Sequence, residues 1–316
     1  MILRRSTFLL AAGLLAIALA FGMPRTLETP SADAEVAEIV TASMVPVAPM
    51  WTERQEPLAK NMPKRPRLRC AASIVVDNVS GEILYSRDAE ERRPIASLTK
   101  LLTAMVFLET GTDLMTTATV TKEDAYQSSK SHLRVGETLT LHDFLYAALV
   151  SSDNRAARVL ARSAGIPADA FIARMNAKAC ELGMDSTHVV EPTGLSELNV
   201  STAHDCAVLL NAALGNHLIR RVSTTSELTV SPLNKRRTHR LVNTNRLLRY
   251  GYSFMGSKTG YISEAGWCIA ARGISEAGHD VTVVILGAPT NSKRFQSLRN
   301  ALLWAYKIPL RPPQES

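Results

Sequence analysis

The chain has little of what metal and redox proteins are built on. Its 316 residues contain four cysteines, at 70, 180, 206 and 268, and no Cys-x-x-Cys pair. No His-Glu-x-x-His run is present, and the seven histidines are scattered. These absences remove the usual zinc frameworks and leave no cofactor to expect. No internal repeat is visible, which excludes a solenoid. Acidic residues are the minority, 29 against 36 lysines and arginines, for a formal charge of +7. Much of that excess lies in Lys64-Arg65-Pro66-Arg67-Leu68-Arg69. Such a run reads as a solvated linker or as attraction to an anionic wall or membrane surface, and export of the chain argues against nucleic acid.

Export is the reading of the first residues. Arg4 and Arg5 precede an uncharged run from Ser6 to Pro24, and Ala18-Leu19-Ala20 offers a small-residue cleavage site. Residues 1–23 are therefore expected to be a signal peptide or an N-terminal anchor. Seven of the 15 prolines fall before Leu68, so residues 24–68 are expected to be a flexible linker, 69–308 the folded domain and 309–316 a tail. Outside the cytoplasm the cysteines could pair, but four allow three pairings, the spacing selects none, and buried free thiols fit equally well.

Apolar periodicity predicts a hairpin over 71–87, with a turn at Asn78-Val79-Ser80-Gly81. Helices follow at about 96–109, 141–150, 154–164, 167–182 and 202–214. Strands return at 254–261, 266–272 and 281–286, and a helix over 292–306 closes the pattern. Nothing substantial follows it, so no second C-terminal domain is expected. Strands at both ends and helices between them predict an α+β fold: one antiparallel sheet flanked by helices, with a helical cluster inserted between its N- and C-terminal strands.

Three short patterns occur once each: Ser97-Leu98-Thr99-Lys100, Ser152-Asp153-Asn154 and Lys258-Thr259-Gly260. Each alone is weak, and their joint occurrence carries the argument. Ser97 and Lys100 are three apart at a helix start and share a face, so Lys100 is a candidate base for a Ser97 nucleophile. A lysine serves as a base only if burial or a neighbouring cation lowers its pKa, and Lys258 could be that cation. The bland reading is a Ser97 that caps the helix and a solvated Lys100. Ser152 could relay protons to the leaving amine, and Asn154 could hold a substrate amide. Ser152 or Asp153 could equally cap the next helix. Lys258 and the Thr259 hydroxyl could bind a substrate carboxylate, with Gly260 giving a substrate backbone access to the strand edge. The backbone N–H groups of Ser97 and Tyr261 could then form an oxyanion hole.

These residues closely resemble the low-molecular-mass penicillin-binding proteins, the serine D-Ala-D-Ala peptidases, over nearly all of 70–306. Ser151 to Ala157, Glu191 to Ser196, Asn199 to Ala203 and Asn243-Thr244-Asn245 are most similar to the D-alanyl-D-alanine endopeptidases. The resemblance implies a β-lactamase/transpeptidase-like fold, an acyl-enzyme on Ser97, hydrolysis by water, and acylation by β-lactams. The implied partners are peptidoglycan stem peptides and cross-links, in the periplasm. Carboxypeptidase action on a pentapeptide is the alternative within the family. A class A β-lactamase is a rival because Glu191-Pro192 falls near the place of its deacylating Glu, although position 195 is Leu rather than Asn. A non-catalytic β-lactam- or wall-binding module is the other.

Overall fold

Strands expose alternate side chains on two faces, so a sheet covered on both sides must be apolar on both. The segments at the two ends of the chain meet that requirement. The protein is described by a computed structural model over residues 51–53, 63–128 and 131–309. Six strands form its main sheet: β1 (Thr52–Glu53), β2 (Ala72–Asp77), β3 (Glu82–Arg87), β4 (Phe254–Ile262), β5 (Gly266–Ile274) and β6 (Asp280–Ala288). Their order is β1-β3-β2-β6-β5-β4. All neighbours are antiparallel except β1, which runs parallel to β3.

One face of the sheet carries Ile74, Val76, Ala270, Val284 and Leu286, and packs on six helices. These are α1 (Thr99–Glu109), α2 (Leu141–Val150), α3 (Asn154–Arg162), α4 (Ala168–Glu181), α5 (Ala203–Gly215) and α6 (His217–Thr224). The other face carries Val75, Ile269, Val283 and Ile285 under α7 (Asn291–Ala305). The α7 residues Phe295, Leu298, Ala301 and Leu302 recur at helical spacing and are buried there. Full burial of each Leu or Phe contributes about 1.5–3 kcal/mol, so both faces stabilise the sheet. Polar residues before the apolar runs set the helix starts. The side chains of Thr140, Asp153, Thr202 and Thr290 accept from the backbone N–H three residues on.

The α+β architecture predicted from the sequence is the one observed. Three features differ from the expectation. The helix predicted from Ala96 opens as a 3-10 turn, Ala96–Leu98, and becomes α-helical at Thr99. Helix α6, the 3-10 turn Arg246–Arg249 and three two-stranded sheets, Arg93–Pro94 with Val200–Ser201, Thr117–Thr119 with Thr138–Thr140 and Glu227–Val230 with His239–Val242, were not predicted. Helix α6 is short and follows α5 directly, because the Asn216 side chain accepts from Leu218 N and Ile219 N and restarts the helix.

The third difference is at the expected linker. Most of 24–68, all of 1–23 and residues 310–316 of the tail lie outside the described residues. Within the linker, however, Trp51 is 9% exposed and packs edge-on against His204, and Leu68 is 5% exposed. The Pro63 carbonyl accepts from Trp304 Nε1 at 3.1 Å. The domain therefore draws on residues before Arg69: composition marked the segment as polar, but its few large apolar side chains still bury against α5 and α7. All four cysteines are free, with Cys206 and Cys268 buried, Cys70 half-buried and Cys180 exposed. Among the described residues no helix is long and apolar enough to cross a membrane. No group of three metal-ligating side chains occurs among them either.

Candidate active site

The site begins in a strained turn. Ala96 has φ of +48°, a value that costs a residue with a Cβ of order 1–3 kcal/mol and persists only where its surroundings enforce it. Ser97 follows in the 3-10 turn. Its hydroxyl does not cap α1, whose N-cap residue Leu98 makes no side-chain cap bond. Instead it lies 2.9 Å from Lys100 Nζ, one turn further on. Lys100 is 1% exposed, and its Nζ also reaches Asn154 Oδ1 at 2.7 Å and the Thr193 carbonyl at 2.6 Å. Burial pushes the Lys100 amine down to about 7, partly opposed by Glu191 and Asp153. A neutral amine has two hydrogens and one lone pair. Two of its three neighbours can only accept, so the hydrogens go to them and the lone pair faces the Ser97 hydroxyl.

The second lysine stands on β4, the last strand of the sheet. Lys258 is also 1% exposed, and its Nζ donates to Ser152 Oγ at 2.7 Å and to the Thr259 carbonyl at 3.0 Å. Burial holds it well below the usual lysine range, and the nearby cations Lys100 and Arg294 lower it further. Two buried amines this close disfavour each other's protons. Ser152, between α2 and α3, has φ of +60°, a second strained residue at the site. Asp153 is the cap of α3, accepting from Ala156 N while Ser131 Oγ and His132 N also donate to it. Its side chain is thereby committed to the fold. The Thr259 hydroxyl meets Thr244 Oγ1 at 2.7 Å.

Three residues outside the motifs hold this arrangement together. The Glu191 carboxylate accepts from the backbone N–H groups of Thr193, Gly194 and Leu195 at 2.8, 2.5 and 2.9 Å. That loop carries the Thr193 carbonyl that Lys100 uses. Gly194, with φ of +81°, presses on the nucleophile turn: a Cβ there would lie 2.0 Å from the Ala96 carbonyl oxygen and 2.8 Å from Ser97 N. Gly194→Ala is therefore expected to cost more than about 2 kcal/mol, read as a fall in the urea midpoint, and to displace Ser97. The role expected for Gly260 also changes. A Cβ on Gly260 would lie 2.9 Å from Ser97 N and 3.0 Å from the Ile95 carbonyl, so this glycine lets β4 pass under the nucleophile turn itself. Sequence reading named Thr193 and Gly194 only within the segment Glu191 to Ser196 and missed the parts that they and Glu191 play, because their contacts join segments about 90 residues apart.

The structure thus gathers Ser97, Lys100 and Asn154 in one hydrogen-bonded group and Lys258 and Ser152 in another, with Thr259 and Gly260 next to Lys258 on β4. Tyr261 comes next on β4, 45% exposed, with its ring stacked on that of Trp267 at 4.0 Å between centroids. A Ser-x-x-Lys turn and a Ser-x-Asn turn facing a Lys-Thr-Gly strand, on a sheet with helices on both faces, define the class of penicillin-binding serine peptidases.

Comparison with known proteins specifies the family. The chain belongs to the D-alanyl-D-alanine carboxypeptidase family, whose sequence model matches residues 59–290. It is 39% identical over 219 residues to a D-alanyl-D-alanine endopeptidase of Pseudomonas aeruginosa, covering 68% of this chain and 71% of that protein. It is 34% identical over 263 residues to a D-alanyl-D-alanine endopeptidase of Escherichia coli, covering 82% and 84%. Among solved structures, the Streptomyces K15 DD-transpeptidase superposes with a TM-score of 0.73 at 28% identity, covering 77% of this chain and 99% of that one.

Proposed function

We propose that this chain is a penicillin-sensitive serine D,D-peptidase that hydrolyses the D-Ala–diaminopimelate cross-link of peptidoglycan. The observation that carries it is the buried Lys100 amine, whose Nζ lies 2.9 Å from Ser97 Oγ while the Asn154 Oδ1 and Thr193 carbonyl acceptors take its other directions. In this reading the Ser97 hydroxyl gives its proton to Lys100 Nζ as Oγ attacks the D-Ala carbonyl. The carbonyl oxygen gains charge between the N–H groups of Ser97 and Tyr261. Lys258 and Thr259 receive the carboxylate next to the scissile amide, and that anion favours the proton on the buried Lys258. Asn154, whose Oδ1 is taken by Lys100, offers its Nδ2 hydrogens to a substrate carbonyl. Ser152, bonded to Lys258, passes a proton to the departing amine and is reprotonated with the proton that Lys100 took from Ser97, which returns Lys100 to the neutral amine. Water then attacks the acyl-enzyme with Lys100 again as base, and Ser97 recovers its proton.

Cross-link and terminal D-Ala both present a D-configured carbon with a free carboxylate beside the scissile amide. Similarity to two relatives named endopeptidases, over two thirds of the chain or more, favours the cross-link. The β-lactamase reading loses its base, because the loop's own N–H groups occupy both Glu191 oxygens. Action on peptidoglycan places the domain outside the cytoplasm, with residues 1–23 as the export signal or anchor. Mass spectrometry of products from a D-Ala–diaminopimelate cross-linked dimer and from a linear pentapeptide tests the choice. The dimer is expected to be split to monomers at the higher rate. Release of D-Ala from the pentapeptide with the dimer intact would make the protein a carboxypeptidase.

A further inference from the structure

We propose that Glu191 is a positioning residue for acyl transfer: its carboxylate clamps the peptide between Thr193 and Gly194 so that the Thr193 carbonyl aims at the Lys100 amine. The proposal rests on the serine-peptidase reading above.

A carboxylate only accepts hydrogen bonds, and this one receives them from all sides. Its Oε2 takes Thr193 N at 2.8 Å and Thr193 Oγ1 at 2.6 Å. Its Oε1 takes Gly194 N at 2.5 Å, Leu195 N at 2.9 Å, Asn199 Nδ2 at 3.1 Å and Ser196 N at 3.4 Å. Four consecutive backbone N–H groups turned toward one anion form the kind of concavity that elsewhere binds a free ion. Here the chain supplies the anion itself.

The consequence follows from peptide geometry. Across a trans peptide the C=O and the next N–H point in opposite directions. Because Gly194 N–H is held by Glu191, the Thr193 C=O must point away from it, and that is where Lys100 Nζ sits, at 2.6 Å. Carboxylate, peptide and amine lie in series, and a hydrogen bond at one end of a peptide strengthens the acceptor at the other. With Thr193 O and Asn154 Oδ1 both fixed, the two hydrogens of a neutral Lys100 have assigned places and the lone pair has one direction left. A loose Thr193 carbonyl would free the amine to turn a hydrogen toward Ser97, where it cannot act as base. The loop is also seated on α1, through Thr103 Oγ1 to the Pro192 carbonyl at 2.7 Å and Asn199 Nδ2 to Thr99 Oγ1 at 3.2 Å. The clamp therefore registers the loop against the helix that carries the base.

The charged groups facing Lys100 are Glu191 from this loop, Asp153 and Arg158 from α3 and its cap, and Lys258 from β4. Glu191 and Asp153 favour the protonated amine and Arg158 opposes it, while burial disfavours the charge on Lys258 as well. Glu191→Gln keeps the shape but replaces one oxygen by an amide NH2. Each oxygen meets at least two donors, so either orientation sets N–H against N–H.

The test is the rate at which benzylpenicillin acylates Ser97, measured against pH, in the full chain and in Glu191→Gln. The plateau rate is expected to fall about 100-fold, the effect of a misplacement near 1 Å. The acidic limb is expected to move to lower pH, because a charge that favours the ammonium is gone. A variant with a lowered melting temperature but a rate within about threefold of the parent and an unmoved limb would overturn the proposal and leave Glu191 a merely structural residue. If Glu191→Gln does not fold, Asn199→Ala removes one donor from the clamp and is expected to slow acylation about three- to tenfold, and an unchanged rate there overturns the proposal equally. Absence of labelling in the parent protein would overturn the serine-peptidase reading, and this inference with it.

Discussion

Replacing Ser97 by alanine is expected to give a folded protein that cleaves D-Ala-linked peptides at least about 10⁴-fold more slowly and takes up no penicillin. The size of the effect follows from what the hydroxyl does and does not touch. It supports no helix cap, and its hydrogen bond runs to Lys100 Nζ. Packing of the turn rests on its neighbours, since Ala96 is fully buried and Leu98 is 1% exposed. Loss of one oxygen therefore removes the nucleophile without opening a cavity. Circular dichroism should match the parent protein while labelling by a fluorescent penicillin disappears. A labelled Ser97→Ala variant would move the nucleophile elsewhere.

Lys100→Met is expected to be nearly as severe, with acylation at least about 10³-fold slower, because nucleophile and base fail as one unit. Methionine has a similar length and no charge, and it fills the buried slot that lowers the lysine to about 7, leaving Asn154 Oδ1 and the Thr193 carbonyl without the amine as donor. The same lowering sets the pH dependence of the parent protein. The free amine is the active form, so acylation should rise about tenfold per pH unit below about 7 and level off above it. The folded lysine loses its proton near 7 and the unfolded one near 10.5. Between those values the unfolded chain binds more protons, so the lysine's contribution makes folding more favourable as pH rises through that window. Lys100→Met should remove both dependences. An acylation rate flat between about pH 5 and 8 in the parent would show that Lys100 is not the base.

Much of this was legible in the sequence, for physical reasons that can be named. The sheet and its flanking helices show in periodicity, because Ala72–Asp77 and Asp280–Ala288 are buried on both faces and read as continuous apolar runs. The motif residues show because the chemistry demands unusual residue types at fixed spacing. The supporting set did not show. Thr193 acts through a carbonyl that any residue possesses, and Gly194 and Gly260 act through the absence of a side chain. Glu191 stood out as a rival's base and at the head of the family-like segment Glu191 to Ser196, and its true neighbours emerge once the loop is closed around it. Trp51 was hidden by the composition of its surroundings, since a Pro-rich stretch gives no period to place one aromatic ring.

The most direct measurement is intact-mass spectrometry of the protein after benzylpenicillin treatment, followed by peptide mapping of the adduct. One long-lived penicilloyl group, on the peptide that contains Ser97, is the predicted result. No adduct, an adduct on another residue, or release of the penicilloyl group within seconds would contradict a D,D-peptidase that works through a Ser97 acyl-enzyme.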